Sequence, residues 1–185
     1  MKSAGRHLFT RLSALTLAVG LAHSALAAGL SQQQLGDFGS KAELRFATIS
    51  NFAPKPELKL TLKNDSSVAL PAGKSDWRIY FHSVRKLDAA PEGLTLRHVQ
   101  GDLHELAPTA GFKGLAVGAS LEVPYTASAS MVSYTDFMPR AFITQAGLNP
   151  VVFANTDTEN VKDFVDPFTK PEPVSYTHLT LPTKA

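Results

Sequence analysis

The sequence predicts an all-β protein, an antiparallel β-sandwich of the immunoglobulin-like type, with one short C-terminal helix. Hydrophobic and polar residues alternate with a period of two in a series of short segments, as in strands that bury one face. Clusters of Gly, Pro, Asn, Asp and Ser separate these segments and predict turns. Beyond residue 28, no stretch of about 12 residues has a helical period. Short strands at this spacing are typical of a sandwich.

Seven or eight segments follow the strand pattern. In LKLTLKN, Leu58 to Asn64, the leucines occupy one face and the polar residues the other. WRIYFHSV, Trp77 to Val84, alternates in the same way. The other predicted strands are Lys41 to Ile49, Gly93 to Val99, Leu103 to Leu106, Ser120 to Ser130, Arg140 to Thr144 and Pro150 to Asn155. Because Pro124 cannot donate a ladder hydrogen bond, the middle of its strand should be an edge or a bulge.

The predicted helix lies in FANTDTENVKDFVDPF, Phe153 to Phe168, which concentrates carboxylates. Thr156 and Glu159 have the spacing of a capping box, in which each side chain satisfies a free backbone N–H. An apolar face follows, formed by Val161, Phe164 and Val165. A calcium loop is disfavoured, because the D-x-[DN]-x-[DN]-G spacing is absent. We therefore predict that Thr156 begins a helix that stops before Pro167.

Residues 1–28 have the pattern of a signal peptide. A basic start is followed by the apolar run Leu12 to Ala22 and by Ala25-Leu26-Ala27, so cleavage should follow Ala27 or Ala28. A membrane anchor is the alternative, but about 11 apolar residues are too few to span ~30 Å of hydrocarbon. The sequence therefore predicts a periplasmic or secreted protein without a membrane span.

The charge balance excludes several kinds of partner. The chain carries 18 Lys and Arg against 16 Asp and Glu. Three cations, Lys2, Arg6 and Arg11, lie in the leader, which leaves 15 against 16 and a net charge of −1 with His neutral. No basic stripe remains, which argues against nucleic acid or anionic lipid as a partner.

The absence of cysteine excludes disulfides, thiolate metal sites and a cysteine nucleophile.

No cofactor or metal site is predicted. The mature histidines His82, His98 and His104 lack the HxH and HxxxH spacings of metal ligands. Serine and histidine are present without the G-x-S-x-G elbow of a hydrolase triad.

Several segments, read in order, resemble one family. They are KSDWRIYFHSVR (Lys74 to Arg85), QGDLHELAPTAGFKGLAVGASLEVPY (Gln100 to Tyr125), DFMPRAFIT and FANTDTENVKDFVDPFT. The order and spacing from Ser31 to Thr169 resemble the N-terminal carbohydrate-binding-type domain of bacterial chitobiases, the β-N-acetylhexosaminidases of glycoside hydrolase family 20. The resemblance implies a sandwich like that of carbohydrate-binding modules over residues 29–173. The string VSYTHLTLPTKA, residues 174–185, resembles translated adapter or vector sequence, so we expect a non-native tail on a C-terminally truncated chain. The alternative is a natural, flexible C-terminus.

In that family an adjacent Asp-Glu pair in a (β/α)₈ barrel acts on the substrate's own acetamido group. This chain contains no adjacent Asp-Glu pair and lacks the βα units of a barrel. The family's catalytic residues therefore cannot be carried over to any position here.

Aromatic residues that could stack on sugar rings are the remaining candidates for function. The candidates are Trp77, Tyr80, Tyr125 and Tyr134, with His82, Arg78 and Asp76 nearby. Trp77 shares an apolar face with Ile79 and Phe81, which favours core packing. Tyr80 and His82 lie on the opposite face and either contact a ligand or pack against the next domain; we favour packing.

Two interpretations remain open. In the first, the chain is an accessory domain of a secreted enzyme that removes terminal N-acetylglucosamine from chitin oligosaccharides. Its partners are then glycans containing N-acetylglucosamine and the missing C-terminal catalytic domains, and the domain binds glycan or braces those domains. In the second, it is a free-standing secreted adhesion or envelope module. The sequence downstream of Pro173 would separate the two.

Overall fold

The computed structural model describes residues 29–89, 91–131, 136, 140–160 and 168–169. One α-helix and ten strands lie within them, together with a 3-10 turn at Ala154–Thr156. The elements are α1 Gln32–Lys41, β1 Glu43–Ser50, β2 Glu57–Lys63, β3 Arg78–His82, β4 Leu87–Asp88, β5 Leu94–Gln100, β6 Leu103–Pro108, β7 Ser120–Ala127, β8 Phe142–Thr144, β9 Val151–Val152 and β10 Phe168–Thr169.

The strands form two five-stranded sheets, which confirms the predicted sandwich. The first sheet has the order β10-β1-β2-β7-β4 and the second the order β5-β6-β3-β8-β9. All neighbours are antiparallel except β10, which runs parallel to β1. The inward faces pack on each other, and Phe46 of the first sheet meets Phe81 of the second with ring centroids 5.3 Å apart.

The inward faces are the ones that the period-two pattern predicts. Leu58, Leu60 and Leu62 of β2 are each at most 1% exposed, while the residues between them are not buried.

Pro124 lies at an edge of its sheet on one side, as predicted. Strand β7 pairs with β2 along its length, but β4 pairs only with Thr126 and Ala127, so the described residues place no strand beside Pro124 on that side.

The described helix lies near the start of the domain's sequence, whereas the predicted helix lies near its C-terminal end. Helix α1 begins at Ser31, whose hydroxyl accepts a hydrogen bond from the Gln34 N–H, while the Gln34 side chain accepts one from the Ser31 N–H. This is a complete capping box. The helix buries Leu35 and Phe38 against the sandwich. A helix of only 10 residues with a two-residue apolar face depends on this packing for its stability.

The prediction that Thr156 caps a helix is wrong. The Thr156 hydroxyl is buried and donates to the Phe153 carbonyl at 2.9 Å. The Glu159 N–H that it would cap donates instead to the Asp157 carboxylate, and the Glu159 carboxylate pairs with Arg140. Residues 161–167, where the helix was predicted to continue, lie outside the described residues.

No helix in the part of the chain that the structure describes is long and apolar enough to cross a membrane.

Candidate functional site

The outward side of the second sheet carries a continuous row of interacting side chains. Cross-strand pairing places Arg97 of β5 beside Glu105 of β6, Glu105 beside Tyr80 of β3, and Tyr80 beside Phe142 of β8. We call these four residues the Tyr80 face. The sequence predicted the outward position of Tyr80 from the alternation in β3, and the structure supplies its neighbours.

The Tyr80 ring is held on two sides. Its plane lies 22° from that of the Phe142 ring with centroids 5.1 Å apart, so the two rings stack across neighbouring strands. The Tyr80 hydroxyl donates a 2.6 Å hydrogen bond to a Glu105 carboxylate oxygen. One ring face is therefore covered by Phe142 and the polar tip is already bonded. A pyranose that stacks on Tyr80 would have to displace Phe142 or use the other face.

Glu105 is the charged centre of the row. Its carboxylate accepts hydrogen bonds from Tyr80 and from both Nε and Nη2 of Arg97, at 3.3 and 3.0 Å. Burial raises the pKa of Glu105, but these hydrogen bonds outweigh it and hold the pKa below its usual range. The bond to Glu105 in turn raises the pKa of Tyr80. A glycosidase general acid needs a raised pKa, whereas the lowered pKa of Glu105 keeps its carboxylate charged. The arrangement therefore suits a binding or packing surface.

His82 lies on the same side of the sheet, near its end. Its Nδ1 is 3.2 Å from a carboxylate oxygen of Asp102, in the turn that joins β5 to β6. The hydrogen bond with His82 lowers the pKa of Asp102. Among the described residues, no group of three or more His, Cys, Asp or Glu side chains has the arrangement of a metal site.

The other sequence candidates lie elsewhere. Trp77 is fully buried, as its shared apolar face predicts, and its ring meets Phe112 edge-on with centroids 5.4 Å apart. Tyr125 is buried, which raises its pKa, and its ring offers no platform to a ligand. Tyr134 lies outside the described residues. Sequence reasoning did not identify Glu105, Arg97 or Phe142 as part of a site, because their proximity depends on strand register.

His104 lies on the inward side of β6, one residue from the Tyr80 face. Its ring is fully buried. The ring atom Nδ1 lies 2.9 Å from the Asp102 carbonyl oxygen, and Nε2 lies 3.3 Å from the Leu87 backbone nitrogen. These partners require a neutral ring that donates from Nδ1 and accepts at Nε2. Burial lowers the pKa of His104.

We predict that this histidine makes the fold sensitive to mild acid. The unfolded chain takes up a proton near pH 6.5, whereas folded His104 takes it up at lower pH. Stability attributable to His104 is therefore complete above about pH 6.5 and falls as pH decreases through the interval between the two pKa values. The free energy of unfolding, measured by urea denaturation, should be lower at pH 5 than at pH 7.5. The loss should shrink in His104→Gln, which cannot take up the proton; a loss as large in this variant as in the wild type would contradict the assignment.

Comparison with known proteins shows the family of this chain. Residues 38–180 match the family described as "Putative carbohydrate binding domain". The chain belongs to this family. It is 37% identical over 110 residues to N,N'-diacetylchitobiase of Vibrio harveyi and 30% identical over 116 residues to a β-hexosaminidase of Vibrio vulnificus.

These relatives of the carbohydrate-binding domain are much longer proteins. The alignments cover 59% and 60% of this chain but only 12% and 13% of the two relatives. Among solved structures, an inactive mutant of a glycoside hydrolase family 20 exo-β-N-acetylglucosaminidase from Vibrio harveyi overlaps 61% of this chain and 17% of its own. The sequence identity is 19% and the TM-score is 0.48.

Proposed function

We propose that this domain is the N-terminal accessory domain of a periplasmic or secreted β-N-acetylhexosaminidase that removes terminal N-acetylglucosamine from chitin oligosaccharides. Membership of the carbohydrate-binding family and the names of the two aligned relatives support this proposal. The signal-peptide pattern of residues 1–28 supports export. A free-standing adhesion or envelope module is the alternative, and a stop codon directly after Pro173 in the intact gene would favour it.

Within such an enzyme, we propose that the Tyr80 face packs against the domains that follow. The observation that carries this proposal is the stacked Tyr80–Phe142 pair, whose hydroxyl end is fixed by Glu105. A sugar platform presents a flat ring face to solvent, whereas this pair covers one face of each ring with the other. A preorganised, half-buried layer of two rings and a compensated charge suits an interdomain contact, which is typically more polar than a core.

Two matched threonines test the contact. Thr144 points outward beside Arg78 on the Tyr80 side of the second sheet, and Thr61 points outward from the middle of β2 on the first sheet; both are half-buried. In the isolated chain, Thr144→Arg and Thr61→Arg should each change stability by about 0.5 kcal/mol or less, as surface substitutions do. In the full-length enzyme, only Thr144→Arg should uncouple the sandwich from the catalytic domains.

Uncoupling is read by differential scanning calorimetry and limited proteolysis of the full-length enzyme. Thr144→Arg should split one melting transition into two and expose the linker after the sandwich to protease, while the Thr61→Arg enzyme behaves like the wild type. If both variants melt and cleave alike, the Tyr80 face is not the interdomain surface.

A further inference from the structure

Phe52, in the connection between β1 and β2, is exposed in an unusual way. Its side chain is 72% exposed, the largest exposed fraction among the large hydrophobic residues that the structure describes. Its backbone φ is +58°, in the left-handed region that bulky side chains seldom adopt. Exposure of the ring and a strained backbone are both unfavourable, and neither adds to the core. Strain of this kind concentrates at functional positions.

Hydrogen bonds hold Phe52 in this conformation. The Asn51 side chain accepts from the Met131 N–H at 3.0 Å and donates to the Met131 carbonyl. The Phe52 N–H donates to the Ser130 hydroxyl at 3.2 Å. The loop is thereby fastened to the segment that follows β7, so the exposed ring has a defined position.

Ile49, three residues earlier, is a second exposed apolar side chain at a backbone irregularity. Thr48 pairs with Leu58 and Ser50 pairs with Glu57, so Ile49 is the extra residue of a β-bulge. Ile49 is 57% exposed, on the outward side where the alternation of β1 also places it. Two apolar side chains, each at a departure from regular backbone, are therefore exposed to solvent at the same end of the first sheet.

A cleft of about 470 Å³ lies beside Ile49 on the outward side of this sheet. Its apolar lining includes Ile49, Ala89 and Pro124, and its polar lining includes Glu57, Lys59, Asp88 and Thr126. Small-molecule sites typically measure 300–1,000 Å³ and combine an apolar surface with a few polar groups. Charges of both signs border the cleft, which suits a neutral polar ligand.

We propose that Phe52, Ile49 and this cleft form a saccharide-binding site. A pyranose ring stacks on Phe52, the methyl of an acetamido group contacts Ile49 and Ala89, and sugar hydroxyls donate to Glu57 and Asp88. The choice of N-acetylglucosamine oligosaccharides rests on the proposed function. A large protein partner fits less well, because the Lys59–Glu122 ion pair borders the cleft and Arg45–Glu43 lies farther along the same sheet. A stable protein interface needs about 800 Å² per partner.

Phe52→Gly tests the site without damaging the fold, because glycine adopts a positive φ without strain. The purified chain is titrated with chitohexaose by calorimetry. We expect saturable binding to the wild type, affinity about tenfold lower in Phe52→Gly, and a denaturation midpoint that is equal or higher in that variant. Ile49→Ser should also weaken binding. Val117→Ala is the matched control, since Val117 is an exposed apolar residue of the β6–β7 connection and should leave affinity unchanged.

The proposal is overturned if chitohexaose does not bind saturably to the wild type, or if Phe52→Gly binds as tightly as the wild type. It is also overturned if Phe52→Gly abolishes concentration-dependent self-association in sedimentation instead of sugar binding, because the surface would then join copies of the chain. Equal affinity for cellohexaose would contradict the acetamido contact. None of these outcomes depends on the Thr144 and Thr61 comparison, so failure of the site and failure of the interdomain proposal are distinguishable.

Discussion

Replacing Trp77 with alanine should lower the free energy of unfolding by about 3–5 kcal/mol, the range for truncating a large buried aromatic residue. Trp77 is fully buried directly before β3, and its ring packs edge-on against Phe112. Alanine would leave a large cavity between the sheets that the surrounding strands cannot fill. The effect should appear in the midpoint of guanidinium denaturation. Far-ultraviolet circular dichroism is the suitable probe, because Trp77 is the only tryptophan and the variant loses its fluorescence.

Trp77→Phe is the matched control. The indole Nε1 has no hydrogen-bond partner among the described residues, so phenylalanine removes an unsatisfied polar atom while it keeps most of the apolar volume. This variant should lose clearly less stability than the alanine variant. A loss below about 1 kcal/mol in Trp77→Ala would mean that Trp77 is not part of the core.

Asn64→Asp should destabilise the domain at neutral pH by about 3–5 kcal/mol, as expected for an unpaired buried charge. Asn64 is fully buried at the end of β2. Its amide nitrogen donates to the carbonyls of Val68 and Ala116 at 2.8 and 3.1 Å, and its oxygen accepts from the Ser66 hydroxyl at 2.6 Å. A carboxylate would direct negative charge at carbonyl oxygens where the amide now donates.

The pH dependence of Asn64→Asp provides a second test. Burial beside carbonyl oxygens should raise the pKa of the introduced carboxyl above the unfolded value of about 3.9. The folded state then binds the proton more tightly, so the deficit relative to the wild type should shrink as pH falls. Asn149→Asp, at an exposed asparagine, should change stability by about 0.5 kcal/mol or less. A variant that matches this control at pH 7 would contradict the role of Asn64.

The two helix starts show why local motifs predict only part of the fold. Ser31-x-x-Gln34 and Thr156-x-x-Glu159 both have capping-box spacing, yet only the first forms a capping box. At Thr156 the partners come from a distant segment: the Arg140 N–H donates to the Thr156 carbonyl at 2.8 Å, and Arg140 also pairs with Glu159. A capping motif offers hydrogen bonds, but competing non-local partners decide whether it is used.

The sequence by itself determined the sandwich class, the inward faces of the main strands and the opposite orientations of Trp77 and Tyr80. These follow from periodicity, because alternate side chains of a strand point to opposite faces wherever the strand lies. The sequence also placed Asn64 at the end of a predicted strand, but it did not show that this side chain is a buried hydrogen-bonding centre.

Only the tertiary structure decided which surfaces are available for function. The pairing of β3 with both β6 and β8 brings Glu105 and Phe142 to Tyr80, and the clamp between Asn51 and Met131 holds Phe52 outward. Neighbour choice and register depend on hydrogen bonds between residues far apart in the chain, which no local pattern encodes. The bulge at Ile49 shifts a strand by one residue, so Ser50 pairs with the outward residue Glu57, although alternation alone would assign Ser50 to the inward face of Thr48.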